Sequence, residues 1–342
     1  MSTLAKFYSF KLITYRFRWV TCQMDYLCEL NNDDDRRKAL HELPHGLPAT
    51  YKRILERVKL KQNQVLVKHA LRWILCSEEP VHFEVLLAVL SIKDGDKALN
   101  RGAMTTMVDI MRWCSSLIRW KDPEMKYIEL AHFTVKEFLL SINTEEQTPV
   151  ADYRIGIPKD EYHLAKTCLT ILDFDEFAAK PPPRQTDRLS WAASAEIQEA
   201  FWYASKWWPV HARDHLGEEE VFALIRKLFS PVKSNNFLWW AKYFAAQNNL
   251  ALDKYPEITA LHLASRLGLS KVVGWLLREG VDVNSASQIG TPIFFAVCPK
   301  SLPRRQTSRN QVLRQGGLRP APQYWEFESC SETIKVLLDG GA

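Results

Sequence analysis

Along most of the chain the apolar positions recur with helical spacing. FRWVTCQMDYLCEL sets Trp19, Cys22, Met24, Leu27 and Leu30 largely along one side of a helix, within a helical region from Phe7 to Leu60. The acidic run NNDDD, residues 31–35, precedes RRKALHEL and is expected to cap it, because carboxylates favour a helix N-terminus. LPHGLPATYKRILERV places two prolines and a glycine before the next amphipathic helix. A further helix runs from Gln62 to Cys76 and carries Val65, Leu66, His69, Trp73 and Ile74. SEEPVHFEVLLAVLSI reads as one capped helix and TTMVDIMRWCSSLI, 105–118, as the next. There the period changes: LIRW (117–120), the turn KDPEM and KYIELAH (126–132) read as two short strands, after which HFTVKEFLLS returns to helix.

Three helices followed by a hairpin is the element order of a winged helix. Residues 143–158 read as a polar, proline-containing connector. From Asp160 to about Asn249 the pattern is helical, broken by PPPR at 181–184. Seven of the twelve tryptophans fall between 191 and 275, and such a cluster points to helices packed through aromatic rings.

The stretch ITALHLASRLGLSKVVGWLLREGVDVN, 258–284, is a helix–turn–helix too small to bury its apolar face alone. Thr259 is placed to cap the first helix, Leu261 and Ala264 to face inward, and Gly280 to supply the left-handed residue that ends the second. TALHLA, Gly268, Val272, Val273, Leu276, Leu277, Gly280 and the closing DVN resemble an ankyrin repeat, with Ala260 where that family has proline. A second unit opens at GTPIFFAV, 290–297, 32 residues on. Its second helix arrives only at SETIKVLLDGGA, 331–342, which is 29 residues late. Two origins are open for the intervening basic segment, 299–328, which has no apolar period and is expected to be disordered: a genuine loop, or translated non-coding sequence. The way its flanks join into one repeat favours the second.

Other pieces carry a wider resemblance. FRWVTCQMDYLCEL, RRKALHELPHGLPATYKRILERV and ELAHFTVKEFLLS resemble the segment after the nucleotide-binding core of fungal NACHT–ankyrin proteins, receptor-like signalling ATPases of the NLR plan. Residues 62–141 resemble the winged-helix-like module named for one in GPI inositol-deacylases, and EAFWYASKWWPVHARDH resembles the linker before the repeats. The resemblance implies the C-terminal portion of such a protein. It implies no ATPase here, because the chain has no Gly-Lys dipeptide and so no phosphate-binding loop; nor does it imply an esterase, since no GxSxG occurs.

Charge narrows the partners. The formal net charge is +5, but Lys300, Arg304, Arg305, Arg309, Arg314 and Arg319 alone supply more than that, so the rest of the chain is slightly acidic. Seven scattered cysteines without a CxxC fit reduced thiols of a cytoplasmic protein. The longest uncharged apolar run, Val85–Ile92, is far short of the ~18 residues needed to cross a bilayer.

Several motifs suggest chemistry and fail on their surroundings. HELPH spells the zincin pattern, with His41 and His45 as ligands and Glu42 as base, but Pro44 disfavours the helix that would align them. HARDH, 211–215, has Ala212 where the base belongs, and His82-x-Glu84 lacks the PCxxC of zinc deaminases. Asp33, Asp34 and Asp35 are better placed for capping than for metal. The third helix of the winged-helix-like region offers Met104, Met107, Val108, Ile110, Met111 and Trp113, with Asp109, where DNA reading requires donors.

The expected fold is mainly α: a helical arm (1–60), a winged-helix-like domain (61–142), a Trp-rich helical linker (143–256) and a short ankyrin-repeat solenoid (257–342). The expected function is non-enzymatic binding of a protein partner through the ankyrin surface, with no catalytic, cofactor or metal site and with Trp275 open to two readings, an exposed anchor for the partner or a ring packed on the preceding helices. A hydrolase, as a metallopeptidase through HELPH or an NTPase remnant, is the alternative class. Nucleic-acid binding through the winged helix or the 300–319 loop is the second alternative, and neither a membrane nor a small-molecule substrate is expected.

Overall fold

The computed structural model describes residues 3–145, 148–179, 194–230, 234–247, 257–297 and 329–342. The protein is mainly helical, with one small three-stranded sheet, and forms two compact units: residues 1–91 with 101–160, and residues 92–100 with 161–342.

The first unit begins with α1 (Thr3–Cys28), α2 (Asp33–His41) and α3 (Leu47–Glu56). Asn32 caps α2, accepting from the Asp35 amide at 2.8 Å, while Asp33, Asp34 and Asp35 fill its first turn as expected of a capping run. On α1 the expected stripe is altered. Cys22 is buried, but Met24 faces solvent and the polar Gln23 takes the inward position. Gln23 is satisfied there by the Thr50 hydroxyl at 2.9 Å and by Arg53, which donates to its carbonyl oxygen at 2.8 Å.

The next elements are α4 (Lys61–Cys76), β1 (Val81–His82), α5 (Phe83–Ser91), α6 (Met107–Cys114), β2 (Ile118–Asp122), β3 (Tyr127–Leu130) and α7 (Phe133–Ser141). The strands form an antiparallel sheet in the order β1-β3-β2, with Val81 opposite Ile128 and Ile118 opposite Leu130. Strand β1 corrects the reading of 77–92 as one helix. Its two residues pair with β3, and the helix starts only at Phe83. The helix expected over 105–118 is also shorter: Ser115 adopts φ +44° and turns the chain towards β2. The 143–158 connector is more than a polar spacer, since Val150, Tyr153 and Ile155 are buried and the Ile155 amide bonds the Leu139 carbonyl at 3.2 Å.

The second unit contains α9 (Ala195–Ala212), α10 (Glu219–Leu228) and α11 (Asn235–Gln247), reached through α8 (Ile157–Leu172). The tryptophan clustering is a packing feature. Trp207, Trp208 and Trp240 are fully buried, and the Trp240 ring contacts those of Trp208, Phe229 and Phe237 at 5.8, 5.1 and 5.6 Å. PPPR and the basic 299–328 segment, expected to be a turn and a disordered loop, lie outside the described residues. The unit ends with α12 (Ala260–Arg266), α13 (Ser270–Arg278), α14 (Pro292–Val297) and α15 (Ser329–Asp339).

The repeat pair and the outward face of its second helix

The first repeat is built by local chemistry. Thr259 caps α12 through the His262 amide, and His262 Nδ1 accepts from the Thr259 amide at 3.1 Å, so each closes an open donor of the other. The other ring nitrogen, Nε2, donates to the Gly290 carbonyl at 3.2 Å, which ties α12 to the turn that opens the second repeat. The His262 ring also meets Phe295 edge-on at 5.1 Å. Leu261 and Ala264 are buried as expected, and Gly280 adopts φ +83° after α13, a conformation costly for any residue with a Cβ.

The divided second unit assembles as one repeat. Helix α14 packs on α12, and α15 packs on both α13 and α14. The ends of α13 and α15 share one hydrogen-bond pattern. Glu279, Gly280 and Val281 donate to Trp275, Leu277 and Leu276, and Gly340, Gly341 and Ala342 donate to Val336, Leu338 and Leu337. Gly341 repeats the left-handed turn of Gly280 at φ +95°. A Cβ at Gly340 would lie 2.8 Å from Leu277 Cδ1, so a side chain there would displace Leu277 where α15 meets α13.

Buried Val272, Val273 and Leu276 leave Lys271, Gly274, Trp275 and Arg278 on the outward side of α13. Trp275 is half-buried, and its indole N–H donates to Glu279 at 3.1 Å. Beside it runs a groove of about 430 Å³ between this face and the start of α10, with Leu216, Gly217, Phe222, Lys271, Arg278 and Val336 among its walls. The Lys271 ammonium reaches so far across that a Cβ at Gly217 would sit 3.2 Å from it. Among the described residues neither Lys271 nor Arg278 has an ion-pair partner, whereas Glu219 on the opposite wall is held by Arg226. Sequence reasoning singled out Trp275 but missed the groove, whose walls come from segments about fifty residues apart.

The motifs that suggested hydrolytic chemistry are not assembled for it. His41 is the last residue of α2, Glu42 is its C-cap and Pro44 lies beyond, where its carbonyl accepts from the Trp19 indole at 2.9 Å. The two histidines of HELPH are therefore not one turn apart on a helix. In HARDH, His211 is buried in α9 and its Nε2 lies 3.0 Å from the Tyr203 hydroxyl; burial pulls its pKa down to about 3. His82 is held neutral, with its pKa down to about 4 through burial first and the Lys126 charge second, although Glu84 is 3.7 Å away. Among the described residues no cluster of three His, Cys, Asp or Glu side chains could hold a metal, and burial raises the Cys22, Cys114 and Cys168 thiols, Cys114 to about 12.

Residues 257–288 match the ankyrin-repeat family model, which makes the α12–α13 pair an ankyrin repeat, a unit associated with protein–protein interaction. The match ends where the divided repeat begins. No curated protein and no solved structure matches the chain. Among the described residues no helix is long and apolar enough to cross a membrane.

Proposed function

We propose that the protein is a non-enzymatic interaction module that binds a protein partner on the outward face of α13. The observation that carries the reading is the ankyrin repeat at 257–288, joined to a second repeat and exposing Lys271, Trp275 and Arg278 on one stripe. A half-buried tryptophan between two cations that have no ion-pair partner among the described residues, beside a groove of mixed apolar and charged walls, offers the kind of anchor on which interface energy concentrates. The remaining elements are its support. The sequence of α4, β1, α5, α6, β2 and β3, with sheet order β1-β3-β2, fits a winged-helix-like reading of 61–142. Its third helix turns Val108 and the Asp109-paired Arg112 outward, which suits protein contact better than base readout. In this reading the chain belongs to a cytoplasmic signalling protein of the NACHT–ankyrin plan.

The test is quantitative capture of partners from an extract of the source cells by the full chain and by Trp275→Ala and Lys271→Glu/Arg278→Glu. A protein retained by the full chain and lost by both variants is expected. Equal capture by all three would contradict the reading, as would peptidase activity that disappears in Glu42→Gln.

A further inference from the structure

We infer that the groove between α10, α13 and α15 takes an acidic peptide segment. A bulky apolar side chain of the peptide sits on Gly274, and carboxylates on either side of it meet Lys271 and Arg278. The inference rests on the reading of α13 as the partner-binding face and adds the chemistry of the partner.

The floor of the groove is a stripe of α13. Ser270, Lys271, Gly274 and Arg278 recur at helical spacing along it, and Gly274 stands in the middle without a side chain. A Cβ there would meet only ordinary contacts, with Val336 Cγ1 at 3.6 Å and Arg278 Nη1 at 3.8 Å, so internal packing does not demand glycine. Glycine in a helix interior is destabilising relative to alanine, and what it provides here is open space. Leu216, Phe222 and Val336, each half-buried, give the same groove its apolar walls. Its volume of about 430 Å³ lies within the range of ligand-binding clefts, about 300–1,000 Å³.

Charge selects the occupant. The Arg278 guanidinium lies close to Gly274 from one turn beyond it, and Lys271, one turn before, carries its ammonium across to Gly217. Among the described residues neither cation has an ion-pair partner. Of the two carboxylates in the walls, Glu219 is neutralised by Arg226, so the two cations of α13 face Glu332 alone. Carboxylates on a partner would form charge-assisted hydrogen bonds with both cations while an apolar side chain fills the space between them. A basic segment would meet two like charges. A nucleic-acid backbone would bring a phosphate at every unit against Glu332 in the wall and Glu279 beside Trp275.

Fluorescence anisotropy on the full chain tests this. The probes are short fluorescein-labelled peptides with Leu, Phe or Trp between flanking Glu and Asp residues, and a matched set with Lys and Arg in place of the acids. Acidic peptides are expected to bind, increasingly weakly as salt rises, and basic ones are not. Gly274→Leu fills the groove while favouring the helix, so circular dichroism should be unchanged and affinity should fall by about tenfold or more. Glu332→Gln should tighten binding about two- to fivefold. An acidic set that does not bind, equal binding of the two sets, or an affinity unchanged in Gly274→Leu overturns the proposal. Binding that appears only in a Trp325→Ser/Phe327→Ser variant overturns it too, because the chain's own YWEFE segment, 324–328, would then be the occupant. The reading of α13 as the partner face fails separately, when the full chain, Trp275→Ala and Lys271→Glu/Arg278→Glu capture protein equally.

Discussion

His262 Nε2 donates to the Gly290 carbonyl at 3.2 Å while Nδ1 accepts from the Thr259 amide, so a single imidazole caps one repeat and ties it to the next. Both bonds are lost in His262→Ala. The expected cost is about 1–2 kcal/mol of unfolding free energy, measured by denaturant titration. Lys271→Ala, at an exposed position of the first repeat, should change stability by less than about 0.5 kcal/mol. Equal effects at the two positions would show that the bridge between the repeats contributes nothing.

Gly340 tests whether the divided repeat really closes. Its missing Cβ leaves room for Leu277, so Gly340→Ala should push α15 from α13 and destabilise that contact by about 1–3 kcal/mol. Hydrogen exchange would then rise in 331–342 and in 270–278 together. A change confined to the last residues would indicate that α15 does not pack as the second half of a repeat.

The ankyrin repeat was legible in the sequence because its signals are local. Thr259 and Gly280 act within a few residues of their own positions, and the late second helix could be placed by counting. Features made by distant packing were not legible. Two residues after Pro80 read as part of a helix until β3 pairs with them, and Met24 reads as part of the inward stripe until Gln23, satisfied by Thr50 and Arg53, takes that position. The groove beside α13 belongs to the same class, because nothing in residues 216–222 announces Lys271 as a neighbour.

In the first unit the side chains of Arg72 and Asp160 form a buried ion pair, and Asp160 also accepts from the Gly156 amide at 2.7 Å at the start of α8. Asp160→Ala removes that cap and leaves the guanidinium without its counter-charge. A loss of about 3–5 kcal/mol is expected by denaturant titration, whereas Asp152→Ala, which breaks the exposed Lys61 pair, should cost less than about 1 kcal/mol.

Acid should unfold the second unit through His211. Its pKa is about 3 when folded and returns to about 6.5 when the chain opens, so the unfolded state binds the extra proton between those values. The stabilisation is complete above about pH 6.5 and is lost as pH falls towards 3, at a slope approaching about 1.4 kcal/mol per pH unit. In a pH series of denaturation midpoints, His211→Gln should flatten that dependence. An unchanged slope would place the acid sensitivity elsewhere.

The central claim, that a protein partner sits on the outward face of α13, is most directly tested by site-specific photocrosslinking. A benzophenone amino acid replaces Lys271 in one sample and the exposed Val108 of α6 in another, and both are irradiated in extract of the source cells. The account predicts a discrete crosslinked protein from position 271 that is absent from position 108 and lost when Trp275→Ala is added. No crosslink at 271, or the same products from both positions, would contradict it.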